Sequence, residues 1–496
     1  MIGEDKSNTT IDGSGTGSVV TVTANDVYIS GFTIRNGSGY GIFLYNSSGT
    51  TISDNNISNN GFGVELVLSS GCIITANMVS DNKVQGIKLD GSGGTIMEDN
   101  NMTCNKYNFG VVGLELQDFI QEIGVSNTVD GKTVYYLINE RDMIIDPSTF
   151  PGIGYLGIVN STNITVKDLK NMTKNVSGIM FAFTKDSILQ NVTALENAYG
   201  ISLCYSNNIT IVGSRITSND EGVCMWVSSD CIISGNTVAN NYDGIYPHAS
   251  NNNTIIGNAV EGNTWGIYFD GFPISGNKIY HNKFINGSCG GFITGSMNTW
   301  DDGYPSGGNY WHDYTGKDLY SGLSQNETGG DGIGDTPYTI DANNRDRYPL
   351  MNAFEVRNVS WETKTYPLGL FSNSTISEIN FDQPGKNVYF NVTGPNGTIG
   401  FCRIAIPKTF MWCDPGHPEQ WNVTVGSSSP TYLRVGEDAN YTYLYFVYSQ
   451  STRDVIVMSK YVVPEFSTWT LMFLVFAVVS VVLVLYKRKL PSHGQP

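Results

Sequence analysis

Trp226, Tyr246, His248, Tyr268 and Asp270 are the side chains of this sequence best placed to hold a ligand, and a repeat brings them together. Glycines stand at Gly178, Gly200, Gly222, Gly244 and Gly266, 22 residues apart. Each is followed by a β-branched residue (Ile179, Ile201, Val223, Ile245, Ile267). Two residues further on come Phe181, Leu203, Met225, Pro247 and Phe269. This period-2 alternation marks a short half-buried strand, restarted once per repeat. The side chains two and four places after each glycine point the other way. They read Met180, Ser202, Cys224, Tyr246, Tyr268 and Ala182, Cys204, Trp226, His248, Asp270. Stacking the repeats puts the three aromatic rings, His248 and Asp270 on one face. Flat rings beside polar groups suit a polysaccharide, whose sugar faces stack on rings. The competing reading is a face covered by a neighbouring segment such as residues 117–155, or a ladder of residues with strand propensity alone.

Other constellations are weaker. Met180, Cys204, Cys224 and His248 form the best group of soft ligands, but Cys204 and Cys224 sit diagonally on adjacent repeats, too far apart for easy bridging. Glycoside hydrolysis needs convergent carboxylates. Asp301 and Asp302 are adjacent but lie outside the repeats, and no arginine stands among outward carboxylates as a lyase base would. The reading therefore leans away from an enzyme, with a polysaccharide lyase or hydrolase as the rival. Asp331, Asp335 and Glu327, among closely spaced glycines, are the candidate ligands of a structural Ca²⁺, although the full EF-hand pattern is not met. No other cofactor is expected. Cys402 and Cys413 are close enough in sequence for a disulfide.

The elements that position these residues follow from the repeat. In residues 1–116 the openings Gly41-Ile42-Phe43-Leu44, Gly63-Val64-Glu65-Leu66 and Gly86-Ile87-Lys88-Leu89 repeat at spacings of 22 and 23. Fourteen residues past the repeat glycine stands an asparagine: Asn55, Asn77, Asn100, Asn236 and Asn258. Each repeat holds about three short strands and cannot bury its apolar side alone; parallel stacking at about 4.8 Å buries one apolar column per inward position. Asparagine at a repeated corner tolerates the left-handed conformation and can hydrogen-bond up the stack. The fold expected is all-β: a right-handed parallel β-helix over residues 1–116 and 156–296, interrupted at 117–155 by a hairpin turning at Asp130-Gly131. A Gly/Asp/aromatic-rich segment, 297–352, caps its open end. Residues 353–461 read as a small Ig-like β-sandwich.

Residues 462–496 read as an anchor. Trp469 to Tyr486 carries no charge and is long enough to cross a bilayer as a transmembrane helix. Lys487-Arg488-Lys489 follows, which places the bulk of the chain outside. Met1 leads straight into repeat-like sequence, so an exported chain is expected to begin further upstream. A net charge of −17 excludes nucleic acid as a partner. Many N-x-[S/T] sequons, among them Asn163, Asn208 and Asn391, fit a glycosylated exterior protein.

The rungs, together with Asn309-Tyr310-Trp311, the run from Asp331 to Tyr338 and Arg347-Tyr348-Pro349-Leu350, resemble the NosD-type β-helix surface proteins abundant in archaea. The resemblance covers residues 1–352 and implies relatedness to periplasmic copper-binding proteins and to carbohydrate-binding or sugar-hydrolysing domains. Val463-Pro464-Glu465-Phe466 before the apolar run resembles the archaeal PEF-type sorting signal, whose motif residues here are Pro464, Glu465 and Phe466. The implied protein is anchored at the cell surface, binds extracellular polysaccharide or builds surface structure, and meets the membrane through its C-terminal helix. A copper-handling accessory protein is the second rival, but the Met, Cys and His residues are dispersed, so copper is not expected on ligand grounds.

Overall fold

The computed structural model describes residues 1–271, 274–291 and 297–463. They fall into two units: Met1–Thr328 with Ile333–Ala353, and Gly329–Gly332 with the chain from Phe354 onward.

The first unit is a solenoid of parallel strands. The apolar columns read from the sequence are its core: Ile179, Ile201, Val223, Ile245 and Ile267 are all 0% exposed. The glycines are required by close approach. A Cβ on Gly178 would stand 2.6 Å from the carbonyl oxygen of Gly200 and 2.9 Å from the amide nitrogen of Asn197. That amide belongs to a buried ladder, Asn175–Asn197–Asn219–Asn241–Asn263. Asn219 Oδ1 accepts from both the backbone N–H (3.0 Å) and Nδ2 (3.1 Å) of Asn197. Asn197 Nδ2 also donates to the carbonyls of Met172 and Leu195. The ladder thus satisfies backbone groups at a corner where no strand partner reaches them.

Residues 117–155, read from the sequence as an interruption with a hairpin at Asp130-Gly131, add strands to the solenoid's large sheet. Thr128–Val129 completes the parallel ladder of the first coils on Asn101 and Met102. The chain then turns at Asp130 (φ 47°) and Gly131 (φ 75°), and Lys132–Ile138 runs antiparallel to the strand it has just left. Both φ values are positive, as a tight two-residue hairpin requires. Every later strand of the same 14-stranded sheet is parallel to Lys132–Ile138, so strand direction reverses once, at this hairpin.

The core changes sides at the same place. In the first solenoid the sheet faces a core that includes Ile34, Ile57, Val79 and Met102. In the second it faces a separate core of Leu156, Ile158, Ile179 and Phe181. The strands nearest the joint are buried on both faces: Tyr155, Val159, Met180 and Ala182 belong to the first core, while their alternating neighbours belong to the second. Reversing strand direction alone would invert the hand of winding. Crossing to the other side of the sheet as well preserves it. Phe119, from the short Leu116–Phe119 helix, fills the corner against Phe183, and its carbonyl accepts from Tyr136.

Residues 297–353 close the far end. A second asparagine ladder, Asn236–Asn258–Asn282–Asn309, ends on Asp346: Asn282 donates to Asn309, and Asn309 N and Trp311 Nε1 both donate to Asp346 Oδ2 at 2.7 and 2.9 Å. Burial raises the Asp346 carboxyl to about 7. Phe284, Trp311 and Tyr338 continue the apolar column as stacked rings. Arg347 forms a two-pronged ion pair with buried Asp301.

In the second unit, two antiparallel sheets share one apolar core containing Leu368, Phe390, Ile404, Phe446 and Val457. The expected disulfide is not formed: Cys402 and Cys413 are both free thiols. Cys402 points into the core from a central strand paired on both sides, while Cys413 follows the short Met411–Trp412 strand at another edge, where its sulfur accepts from Lys460 N. Sequence proximity did not bring the two Cβ atoms together. No helix among the described residues is long and apolar enough to cross a membrane, and both the Trp469–Tyr486 run and Pro464-Glu465-Phe466 lie outside the described residues.

Candidate functional site

The outward face of the second solenoid begins under the first solenoid and emerges from it. At its lower end Met180 and Ala182 are buried in the first core. Val176 N donates to Phe109 O, and Asn108 N donates to Lys174 O, so the last coil of the first solenoid is tied directly to the second. Beyond that seam the two surfaces diverge and leave a groove of about 340 Å³. Gln85, Lys88 and Val112 line one wall; Tyr199, Ser202 and Trp226 line the other.

Higher on the same face the structure brings together the five residues singled out from the repeat. Trp226 and His248 stack at 3.8 Å between ring centroids, and Tyr246 and Tyr268 stack at 5.8 Å. Tyr246 donates to Asp270 Oδ2 at 2.9 Å, and His248 Nδ1 lies 3.8 Å from the same oxygen. Burial first, then donation to Asp270, raises the Tyr246 hydroxyl. The rings of each pair lie face to face along the stack.

A second set on this face escaped the sequence reading. The residue immediately before each repeat glycine forms its own column, in which Tyr199, Glu221, Asp243 and Trp265 are register partners on successive coils. Two carboxylates thus occupy adjacent coils, bracketed by an aromatic ring on each side. Glu221 Oε2 and Asp243 Oδ1 are buried without a hydrogen-bond partner, and so are His248 Nδ1 and, across the groove, Gln85 Oε1. Asp243 is 7% exposed. Desolvation, reinforced by the neighbouring Asp243 and Asp220 charges, raises Glu221 to about 7; desolvation raises Asp243 to about 6. The signal was present in the sequence as an acidic pair at one repeat position. It was missed because alternation was counted only forward from the glycine, and Gly222 and Gly244 fall out of the pairing register that joins their flanking residues.

The remaining candidates are not assembled. Among the described residues no three His, Cys, Asp or Glu side chains are grouped to hold a metal ion, so Glu327, Asp331 and Asp335 do not form one cluster. Asp335 instead accepts from the backbone N–H groups of Leu319 and Tyr320. Of the soft ligands, Met180 is buried against the hydroxyl of Tyr155. Burial raises the Cys204 thiol to about 11 and also holds the Cys224 thiol well above its ordinary value. Buried thiols held protonated are poor ligands.

Residues 121–316 match the family described as periplasmic copper-binding protein (NosD), and residues 3–116 match the right-handed β-helix region family. Among the described residues no three His, Cys, Asp or Glu side chains converge as a copper site would need, and Met180 is enclosed. No curated protein matches the chain. Similar solved structures include the Dettilon tailspike protein gp208, with 13% identity, 89% of this chain and 86% of that chain covered, and a TM-score of 0.23. They also include the A-module of the Azotobacter vinelandii mannuronan C-5 epimerase AlgE6, with 13% identity, coverage of 60% and 81%, and a TM-score of 0.27. A third is an alginate lyase from Paenibacillus, with 11% identity, coverage of 54% and 88%, and a TM-score of 0.18. The solenoid of this protein is a right-handed parallel β-helix, and its residues 121–316 are similar to the NosD family.

Proposed function

We propose that this is an exterior protein that binds a polysaccharide along the groove and the aromatic face above it. The observation that carries the reading is the groove lined by Tyr199 and Trp226 beside Gln85 and Ser202, with the Trp226–His248 and Tyr246–Tyr268 ring pairs above it. Tyr199, Trp226 and Trp265 supply the apolar contact that sugar rings need. Glu221, Asp243 and Asp270 outnumber the one lysine of the groove, Lys88, which is itself held by Glu65 and Asp90. A uronic-acid polymer would be repelled, so the ligand class is a neutral or amino-sugar polysaccharide. The exterior location accords with the sequons and with the periplasmic description of the matched family. Attachment to a membrane rests on the Trp469–Tyr486 run alone.

Affinity electrophoresis of the full-length protein through xylan, chitosan and polygalacturonate tests this. Xylan or chitosan retards the protein, and Trp226→Ala weakens that retardation about tenfold. Equal retardation of the variant, or preference for polygalacturonate, would overturn the reading.

A further inference from the structure

We infer that Asn163, Asn208 and Asn252 are N-glycosylated, and that their glycans stand on every second coil along one corner of the second solenoid. The inference goes beyond the polysaccharide site and shares with that reading only the exterior location of the chain.

The corner is a column of exposed residues, one per coil: Asp142, Asn163, Asp186, Asn208, Asp230 and Asn252. All have positive φ, between 52° and 57°. Asparagine and aspartate tolerate this left-handed conformation better than other residues that carry a side chain, and that requirement alone accounts for their presence. It does not account for the column two residues further on. There Ile144, Thr165, Ile188, Thr210, Ile232 and Thr254 are register partners from coil to coil. The two columns alternate in step. Wherever the corner is asparagine the second residue is threonine, which gives Asn163-Ile164-Thr165, Asn208-Ile209-Thr210 and Asn252-Asn253-Thr254. Wherever the corner is aspartate the second residue is isoleucine. Threonine and isoleucine are both good strand residues, so packing of the strand does not dictate the alternation. The acceptor motif is complete on one coil and lost in both its parts on the next.

The intervening aspartates suit the modification. Asn163 Nδ2 donates to Asp142 Oδ1 at 2.6 Å, and Asn208 Nδ2 donates to Asp186 Oδ1 at 2.8 Å. An amide nitrogen carries two hydrogens. The aspartate of the preceding coil takes one, and a sugar replacing the other leaves that bond intact. Asn175-Val176-Ser177 has the same motif but a different setting. Asn175 is 0% exposed, and its Nδ2 donates to Gly154 O and Thr173 O, so neither hydrogen is open to replacement. Spacing fits as well. Glycans on adjacent coils would stand about 4.8 Å apart and crowd one another; alternate coils set them about 9.6 Å apart. Ile144, Ile188 and Ile232, 52%, 40% and 40% exposed, offer apolar surface between them for the faces of the first sugars. The donor is an oligosaccharide on a lipid-linked phosphate, delivered by a transferase of the exporting cell. Asn Nδ2 forms a bond to the anomeric carbon as the bond from that carbon to the phosphate oxygen breaks. The bonding electrons leave with the phosphate, and one Nδ2 hydrogen leaves as a proton to a base of the transferase.

Glycopeptide mass spectrometry of the full-length chain, exported behind a cleavable leader from a host that N-glycosylates, tests this. A control glycoprotein exported from the same host shows that the transferase is active. Peptides containing Asn163, Asn208 and Asn252 carry glycan, and the peptide containing Asn175 does not. Thr210→Ile, which gives this coil the residue of its neighbours, lowers the intact mass by one glycan, and Thr210→Ser restores it. Asn208→Gln gives the same loss should the isoleucine variant fail to be exported. Three bare corner asparagines beside a modified control overturn the inference. So does glycan on Asn175 at the level of the corner, or a glycan on Asn208 that survives Thr210→Ile. None of these results bears on the groove: the corner strands belong to a seven-stranded sheet, whereas the groove and its rings lie on the 14-stranded one. Retardation on xylan or chitosan is therefore the same for Thr210→Ile and the wild type, and its loss in both would remove the polysaccharide reading alone.

Discussion

The two solenoids treat carboxylates in opposite ways, at different positions of the repeat: two residues after the glycine in the first, one before it in the second. In the first, Phe43, Glu65, Lys88 and Gly110 are register partners on successive coils, and the one carboxylate among them is neutralised by the lysine above it. In the second, two carboxylates stand on adjacent coils between two rings, and among the described residues neither forms an ion pair. The inward columns are nearly interchangeable: Ile42, Val64 and Ile87 in one, Ile179, Ile201 and Val223 in the other, all 0% exposed. Cores of this kind say how coils stack and nothing of what the protein does. The difference lies in whether a buried carboxylate meets a lysine or stands without a hydrogen-bond partner.

The largest effect is expected at a buried asparagine ladder, a device each solenoid has in its own copy. Asn219→Ala removes the acceptor for Asn197 and the donor to Ala194 O, Thr217 O and Asn241 Oδ1. It is expected to cost about 4 kcal/mol, since several buried groups lose partners together. Urea unfolding measures it; a loss no larger than that of an exposed-site variant would show that the ladder is not required. Next in size, Lys88→Met leaves Glu65, 5% exposed, as an uncompensated buried charge and should cost about 3 kcal/mol at neutral pH. A neutral result would mean that Glu65 is no better paired than Glu221. Third, Gly110→Ala places a Cβ 2.3 Å from the Cβ of Val176 at the seam between the solenoids. Overpacking there costs about 2 kcal/mol and should weaken polysaccharide binding along with stability, because the groove wall moves.

The smallest effect has the opposite sign. Glu221 has its carboxyl raised from 4.5 to about 7 in the folded protein, so folding favours the protonated form. Its contribution is fully present below 4.5 and is lost as pH rises through about 7. Glu221→Gln should therefore melt about 2 °C above the wild type at about pH 8 and no higher at about pH 4. A variant that melts lower at the alkaline pH would mean that the carboxylate is stabilised, and the contrast with Glu65 would disappear.

Much of this architecture was legible in the chain. The glycine interval gave the coil length because each glycine lies under a carbonyl of the next coil, a constraint that permits no drift. Period-2 alternation then put Trp226, Tyr246, His248, Tyr268 and Asp270 on one side, where the structure has them. What could not be read was long-range. Asp130-Gly131 announces a turn, but nothing local says that the strand after it joins the same sheet and carries its core on the other side. That depends on Tyr155, Val159, Met180 and Ala182 meeting a core built by residues before position 130. The covering of the lower face by the first solenoid was hidden for the same reason. Cys402 and Cys413 failed differently: closeness along the chain says little when the first thiol belongs to the interior of a two-sheet core and the second to an edge.

The reversal at Asp130-Gly131 has a consequence for how such a protein can change length. The groove depends on the coils next to the joint. The ends of the two solenoids remote from it take no part in the seam between Gly110 and Val176. A duplication of one 22-residue repeat near either remote end would extend a rod and leave the meeting point untouched. The same duplication across the hairpin would add a second reversal and send the inner and outer faces back to their former sides. Coil number is therefore free to vary between descendants of such a gene, while the joint, and with it the groove, is inherited whole or lost.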